Sequence, residues 1–116
     1  MYRTVIKAIG AEAETFKSEN MLILFGENAP DTLKDYCYTI EVNPVEKDIE
    51  SEMILKIDSQ EYSITAVGEV VGKNLNDLGH ITIKFDGNTT ADLPGTLHVE
   101  ANEFPALEIG TTIEIL

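Results

Sequence analysis

The sequence predicts an all-β fold, a small closed or partly open barrel of about eight short strands with one short helical turn. Three observations carry this prediction. Strand-length segments recur along the whole chain, turn-forming residues separate them roughly every 8–12 residues, and few segments have helical spacing. Closure into a barrel would also hide the strand edges that an open sheet exposes. The 116 residues predict a single domain over 1–116.

The first half of the chain contains three predicted strands and the helical turn. Polar and apolar residues alternate over Tyr2–Ile9 until Gly10, and Met21–Phe25 is a continuous apolar run of strand length. Segment 11–20 lies between them and fits either a short helix or a loop. After a turn at 26–30, Asp31 is the predicted N-cap of a helical turn over 32–36, and 37–42 returns to strand.

The second half is predicted to form hairpins. Segments 53–57 and 62–67 flank a polar turn at 58–61, and a strand over 80–85 has His80, Thr82 and Lys84 on one face. A turn at 86–88 follows, and the last strands are 96–100 and 111–115. Segment 49–57 loosely resembles 107–115, which we interpret as a shared loop-into-strand pattern and not as a repeat.

Charge and composition exclude several partners. The chain has 8 Lys and Arg against 21 Asp and Glu, a formal net charge of −13. It therefore has few cations to place on the phosphates of a nucleic acid or on an anionic membrane. No apolar run approaches the roughly 20 residues that cross a bilayer. The single cysteine, Cys37, excludes an internal disulfide and fits a reducing cytosol, so we expect a cytoplasmic protein.

Most catalytic signatures are absent from the sequence, and its two histidines and one cysteine lie too far apart to suggest a metal site. We therefore expect no metal and no cofactor. An accessible imidazole can by itself attack a phosphoryl group and carry it between proteins. His80 and His98 are the candidates, although chemistry alone favours an ordinary structural role for each. Cys37 is predicted to be a small buried side chain.

Five segments of the chain carry a resemblance to a known family: 21–30, 35–38, 64–68, 74–87 and 93–99. Together they resemble the glucitol/sorbitol-specific IIA component of the bacterial phosphoenolpyruvate-dependent sugar phosphotransferase system. The resemblance extends from about residue 5 to the last residue, and it is most specific over 78–87. It implies a cytoplasmic β-barrel that takes a phosphoryl group from the phosphocarrier protein onto a histidine. The group would then pass to the IIB domain of a membrane-bound IIB/IIC sorbitol transporter.

One position departs from the family pattern. The resemblance places the phosphoryl-accepting histidine two positions after the Tyr36-Cys37-Tyr38 motif, where this chain has Ile40. The adjacent Glu41 would give a hydrolytically labile acyl phosphate. Two hypotheses follow. Either His80 is the catalytic acceptor, preferred to His98 because its flanking segment is more specific, or the chain is a diverged, non-catalytic paralogue that acts as a regulatory or protein-interaction module.

Overall fold

The computed structural model describes residues 1–116 and confirms the predicted all-β barrel. Eight strands close on themselves in the order β1-β3-β2-β6-β7-β5-β4-β8. The strand pairs β2–β3 and β6–β7 are parallel, and all others are antiparallel. The strands are β1 (Tyr2–Ile9), β2 (Met21–Phe25), β3 (Tyr38–Ile40), β4 (Ile54–Ile57), β5 (Gln60–Val67), β6 (Ile81–Lys84), β7 (Thr96–Val99) and β8 (Thr112–Ile115).

Alternating side chains fill the barrel interior, as the period of a strand requires. In β6, Ile81 and Ile83 point into the core, whereas Thr82 and Lys84 lie on the outer face and are partly exposed. The largest side chains of the core are Tyr38, Tyr62 and Phe85, and the ring of Phe85 meets that of Tyr62 edge-on at 4.9 Å. The sequence-predicted faces of β6 are therefore confirmed.

The second half of the barrel repeats the first. Strand β5 begins and ends 58 positions after β1, from Tyr2 to Gln60 and from Ile9 to Val67. Strand β1 pairs with β3 and β5 pairs with β7, both antiparallel, and each ladder shifts register at the same relative place. The parallel pairs β2–β3 and β6–β7 correspond in the same way. The barrel thus has an approximate internal two-fold symmetry.

This symmetry corrects the interpretation of the two similar segments at 49–57 and 107–115. They end in β4 and β8, which occupy equivalent positions in the two halves. The two strands also pair with each other, Leu55 with Ile115 and Ile57 with Ile113. The similarity therefore reflects a structural repeat, which the low identity between the halves had concealed.

The prediction of a single helical turn was wrong, because the barrel carries three helical segments. A 3-10 helix covers Ala13–Glu19, and α-helices cover Asp31–Lys34 (α1) and Val71–Leu78 (α2). Sequence inspection missed α2, since it contains weak helix formers and buries only Val71 and Leu75, one turn apart. Asp31 is not the N-cap of α1. Pro30 holds that position, and no side chain caps the helix.

The prediction of a second hairpin was also wrong, because β6 and β7 run parallel. Parallel strands need a long connection that returns the chain to the same end of the sheet. Residues 85–95 make this connection, here called the second crossover, and residues 26–37 make the equivalent first crossover between β2 and β3. The turn at 86–88 therefore starts a crossover and does not close a hairpin.

An ionic cluster fastens the second crossover to the barrel. His98 is completely buried on β7, on the face opposite the core residues Leu97 and Val99. Its Nδ1 lies 2.9 Å from Asp86 Oδ1, and its Nε2 lies 3.1 Å from Asp92 Oδ1. The second oxygen of Asp92 accepts a hydrogen bond of 2.9 Å from Lys84. Two residues of the crossover are thus held against two residues of the barrel wall.

The ionic cluster stabilises the ionised forms of Asp86 and Asp92. Partial burial raises the pKa of Asp86, but hydrogen bonds from His98 and from the Asn88 amide outweigh it, so that the pKa lies below its usual value. The hydrogen bond from Lys84 is the main cause that holds the pKa of Asp92 below its usual value. Both aspartates therefore bind protons more weakly in the folded chain than in the unfolded one.

The first prediction concerns the pH dependence of stability. A lowered pKa contributes stability above the pKa of an unfolded aspartate, about 4, and the contribution is lost as pH falls through the folded value. We expect Asp86→Asn to lower the free energy of unfolding at pH 7 by about 1–3 kcal/mol, because it weakens the pairing of a buried histidine. The deficit should shrink as the pH falls from 4 towards 2. Urea denaturation across this range measures it.

Asp48→Asn is the matched control for this experiment, since Asp48 is exposed and its side chain makes no hydrogen bond or ion pair. A deficit for Asp86→Asn that stays constant with pH, or that does not exceed the control, would contradict the role given to the cluster.

The second prediction concerns two symmetry-related glycines. A Cβ on Gly10 would overlap the backbone carbonyl of Asp35, and one on Gly68 would overlap that of Pro94. We expect alanine at either site to lower the free energy of unfolding by about 1–3 kcal/mol through overpacking. Gly72→Ala is the control. Gly72 lies in α2 with open space around it, so alanine there should raise stability by about 0.5–1 kcal/mol. Thermal denaturation of the three variants measures the difference.

Candidate functional site

His80 lies in the short connection between α2 and β6. Gly79, in a left-handed conformation with φ of 66°, ends the helix and donates its amide to Leu75 O. The His80 amide then donates to Asn74 O at 3.2 Å, which completes the helix C-cap. The backbone on both sides of His80 is thus held by the helix end and by the strand.

The imidazole of His80 has one engaged nitrogen and one free nitrogen. Nδ1 lies 3.0 Å from the carbonyl oxygen of Leu24 in β2, whereas Nε2 has no hydrogen-bond partner in the protein. A carbonyl oxygen only accepts, so Nδ1 must carry the proton. In the neutral ring the lone pair is then on Nε2. The side chain is partly exposed, and this nitrogen is the one left for an incoming electrophile.

The ring of Phe25 supports the imidazole from one side. The two rings stack with centroids 4.0 Å apart and planes inclined by 18°. Phe25 itself is buried against Ala29 and Cys37 of the first crossover, and Ile23 packs against this group. These residues, Phe25, Ala29 and Cys37, are called the outer cluster below. The imidazole is therefore seated on an apolar platform outside the barrel core.

Two exposed apolar side chains lie next to this platform. Gly26 donates its amide to Leu78 O at 2.9 Å, which joins the end of β2 to the end of α2. Val42 packs against the same glycine and against Gly79, since a Cβ on either would contact its side chain. Val42 is 43% exposed and Leu78 is 48% exposed. The surface beside His80 is thus more apolar than the strongly acidic composition would suggest.

His98, the second candidate, cannot act as an accessible nucleophile in this conformation. It is completely buried, and both of its ring nitrogens face carboxylate oxygens of the second crossover. The structure therefore gives the two histidines different environments. His98 belongs to a structural ion cluster, and His80 keeps one nitrogen free.

The position that the resemblance assigns to a histidine faces the barrel interior. Ile40 is 0% exposed and belongs to the main core, where it is the β-partner of Ile6. Glu41, the next residue, is exposed, and its carboxylate lies 4.0 Å from Lys7 and accepts a hydrogen bond from Asn43. No hydrogen bond joins either side chain to the His80 imidazole.

Cys37 is buried, as predicted. Its thiol donates to Leu33 O at 3.2 Å, and burial raises the pKa of this thiol above its usual value. Both effects keep it protonated and unreactive. No group of three His, Cys, Asp or Glu side chains is placed to hold a metal ion.

Sequence inspection missed the two partners of His80. A backbone carbonyl such as that of Leu24 leaves no mark in a sequence. Phe25 left a weak one, because the continuous apolar run at 21–25 is typical of a strand buried on both faces.

A family model described as "PTS system glucitol/sorbitol-specific IIA component" matches residues 1–114. The glucitol/sorbitol-specific EIIA components of Shigella flexneri and of Escherichia coli K12 are each 39% identical over 99 residues, covering 85% of this chain and 80% of theirs.

The fold of the chain also matches that of a solved structure. The crystal structure of a PTS system IIA component from Enterococcus faecalis V583 superposes with a TM-score of 0.84 at 30% identity, covering 99% of both chains. No helix of the present chain is long and apolar enough to cross a membrane. The family match over nearly the whole length and the two curated relatives lead to one conclusion: the chain belongs to the family of glucitol/sorbitol-specific IIA components of the phosphotransferase system.

Proposed function

We propose that this chain carries a phosphoryl group on Nε2 of His80. It takes the group from the phosphocarrier protein and passes it, in the cytoplasm, to the IIB domain of a membrane-bound glucitol/sorbitol transporter. The observation that supports this proposal is the contrast between the two histidines. His80 has a ring nitrogen without a partner, whereas both nitrogens of His98 are engaged.

The uptake step needs only a nucleophile and a donor. The Nε2 lone pair attacks the phosphorus of the donor's phosphohistidine, and the donor's P–N bond breaks with its electron pair returning to the donor ring. The product ring on His80 bears the phosphoryl group on Nε2 and the proton on Nδ1. No group in the protein must add or remove a proton during this transfer.

The Leu24 carbonyl then keeps the phosphoryl group transferable. An imidazole leaves more readily when its other nitrogen stays protonated, because the departing ring is then neutral. The hydrogen bond from Nδ1 to Leu24 O, 3.0 Å in the free protein, stabilises that proton. When a nucleophile of the IIB domain attacks the phosphorus, the P–Nε2 bond breaks and the electron pair returns to Nε2.

The surroundings of His80 suit transient docking. Val42 packs against Gly26 and Gly79, Leu78 accepts a hydrogen bond from Gly26 through its carbonyl, and both apolar side chains are exposed. The net charge of −13 favours partners with a basic surface. Long-range attraction of this kind is screened by salt, so we expect association with either partner to weaken as ionic strength rises.

A second candidate function is a non-catalytic interaction module of the same family. The burial of Ile40 favours it, because the resemblance places the family's acceptor at this position and isoleucine has no nucleophile. Such a module would keep the docking surface for the phosphocarrier or the IIB domain without accepting phosphate.

The third prediction separates these two functions. The protein is incubated with phosphoenolpyruvate, enzyme I and the phosphocarrier protein, and its intact mass is measured. We expect the wild type to gain one acid-labile phosphoryl group, His80→Ala to gain none, and His98→Gln to gain one, because only His80 has an accessible lone pair. Circular dichroism first establishes that each variant is folded.

Fragmentation of the phosphorylated wild type locates the group without any substitution. A phosphoryl group found elsewhere would contradict the assignment of His80. A wild type that never gains mass, although the donor is fully phosphorylated, would favour the non-catalytic module.

The fourth prediction concerns position 40. Ile40→His should lower the free energy of unfolding by about 2–4 kcal/mol, since it replaces a buried aliphatic side chain with a polar ring that has no partner. In the Ile40→His/His80→Ala double variant we expect no phosphoryl uptake, because position 40 faces the core. Uptake by the double variant would show that the barrel opens at β3 and that position 40 is the acceptor site of this fold.

A further inference from the structure

We infer that Phe25 is a positioning residue for phosphoryl transfer, which holds the His80 ring so that Nδ1 meets the Leu24 carbonyl and Nε2 stays free. This inference rests on the proposed role of His80. It goes further, because it assigns the orientation of the acceptor to one aromatic side chain and to the cluster beneath it.

Two contacts together fix the imidazole. The Phe25 ring, 4.0 Å away and nearly parallel, fixes the plane in which the imidazole lies. Within that plane the ring could still turn over, since terminal torsions of histidine have broad, nearly two-fold wells. The hydrogen bond to Leu24 O selects the orientation in which Nδ1 points inward. If either contact were lost, the remaining one would not fix the orientation of the imidazole.

The two contacts are mechanically linked because Leu24 and Phe25 are consecutive. The Leu24 carbonyl and the Phe25 Cα belong to the same planar peptide unit. The outer cluster holds the Phe25 side chain, which is 8% exposed, and thereby also holds the carbonyl that receives the proton of Nδ1. The acceptor is thus positioned by the last residues of one strand.

The internal symmetry shows that the barrel does not itself require an aromatic residue at this position. Phe25 is the β-partner of Thr39 in the pair β2–β3, and Lys84 is the β-partner of His98 in the equivalent pair β6–β7. Thr39 and His98 occupy equivalent positions in β3 and β7, so Lys84 is the counterpart of Phe25. In the half without a free imidazole, the position carries a lysine that bonds Asp92. The aromatic ring occurs where there is an imidazole to support.

The experiment compares Phe25→Leu, Phe25→Tyr and Phe104→Leu in the full chain. Leucine at position 25 keeps the outer cluster filled but removes the stacking ring, and tyrosine retains the ring. Phe104→Leu is the matched control, because it removes an aromatic ring that packs against Phe85 of the main core, outside the outer cluster. Two quantities are measured in each variant: the ring ¹⁵N chemical shifts of His80, which report the tautomer without any phosphate, and the rate of phosphoryl uptake.

We expect Phe25→Leu to give mixed His80 tautomers and to slow uptake about tenfold or more, as small misplacements of reacting groups do. Phe25→Tyr should keep both as in the wild type, and Phe104→Leu should lower the melting temperature while leaving tautomer and rate unchanged. Unchanged shifts and rate in Phe25→Leu would overturn the inference, and so would an equal loss in Phe104→Leu.

The two proposals fail in different ways. The proposed function fails if wild-type protein takes up no phosphate, or if His80→Ala takes up phosphate as well as the wild type does. This holds whatever the ¹⁵N chemical shifts of His80 are. If uptake depends on His80 but is insensitive to Phe25→Leu, the proposed function stands and the positioning role fails.

Discussion

The two parallel strand pairs constrain most of what this molecule can do. A barrel made only of hairpins would leave its outer face open to water. Because β2 and β3, and β6 and β7, run parallel, the chain must cross from one end of the barrel to the other between them, and each crossover packs on the outside. Outward-facing residues such as Phe25 and His98 are thereby buried without belonging to the core. Both histidines contact residues of this outer layer.

The two halves hold their crossovers against the barrel with different kinds of side chain. The first crossover is held by an apolar group of Phe25, Ala29 and Cys37, and the second by an ionic group built around His98. An apolar platform can support an imidazole and leave its edge free. An ionic cluster engages every polar atom of the ring, because a buried histidine needs partners. The same residue type therefore keeps one nitrogen free beside one crossover and has both nitrogens engaged beneath the other.

The main barrel core and the proposed acceptor site are correspondingly separate. Ile40 is completely enclosed in the main core, whereas His80 lies outside the barrel between a helix end and a strand end. The carbonyl of Leu24 accepts from its ring, the carbonyl of Asn74 accepts from its amide, and the Phe25 ring stacks on the imidazole. A site of this kind would suit brief contact with a partner, since the side chain is partly exposed and its orientation is fixed beforehand.

The sequence by itself determined the strand pattern, the burial of Cys37, the faces of β6 and the family, because period-two alternation and local motifs are short-range properties. It could not determine that 80–85 and 96–100 run parallel, that 71–78 is helical, or that the halves are related by symmetry. Strand direction and pairing depend on contacts between distant residues. Only the tertiary structure gave the two histidines different environments. Both follow glycine-containing turns in the sequence, but the free nitrogen of His80 depends on a carbonyl 56 positions earlier, and the engagement of His98 depends on a crossover folded back over β7.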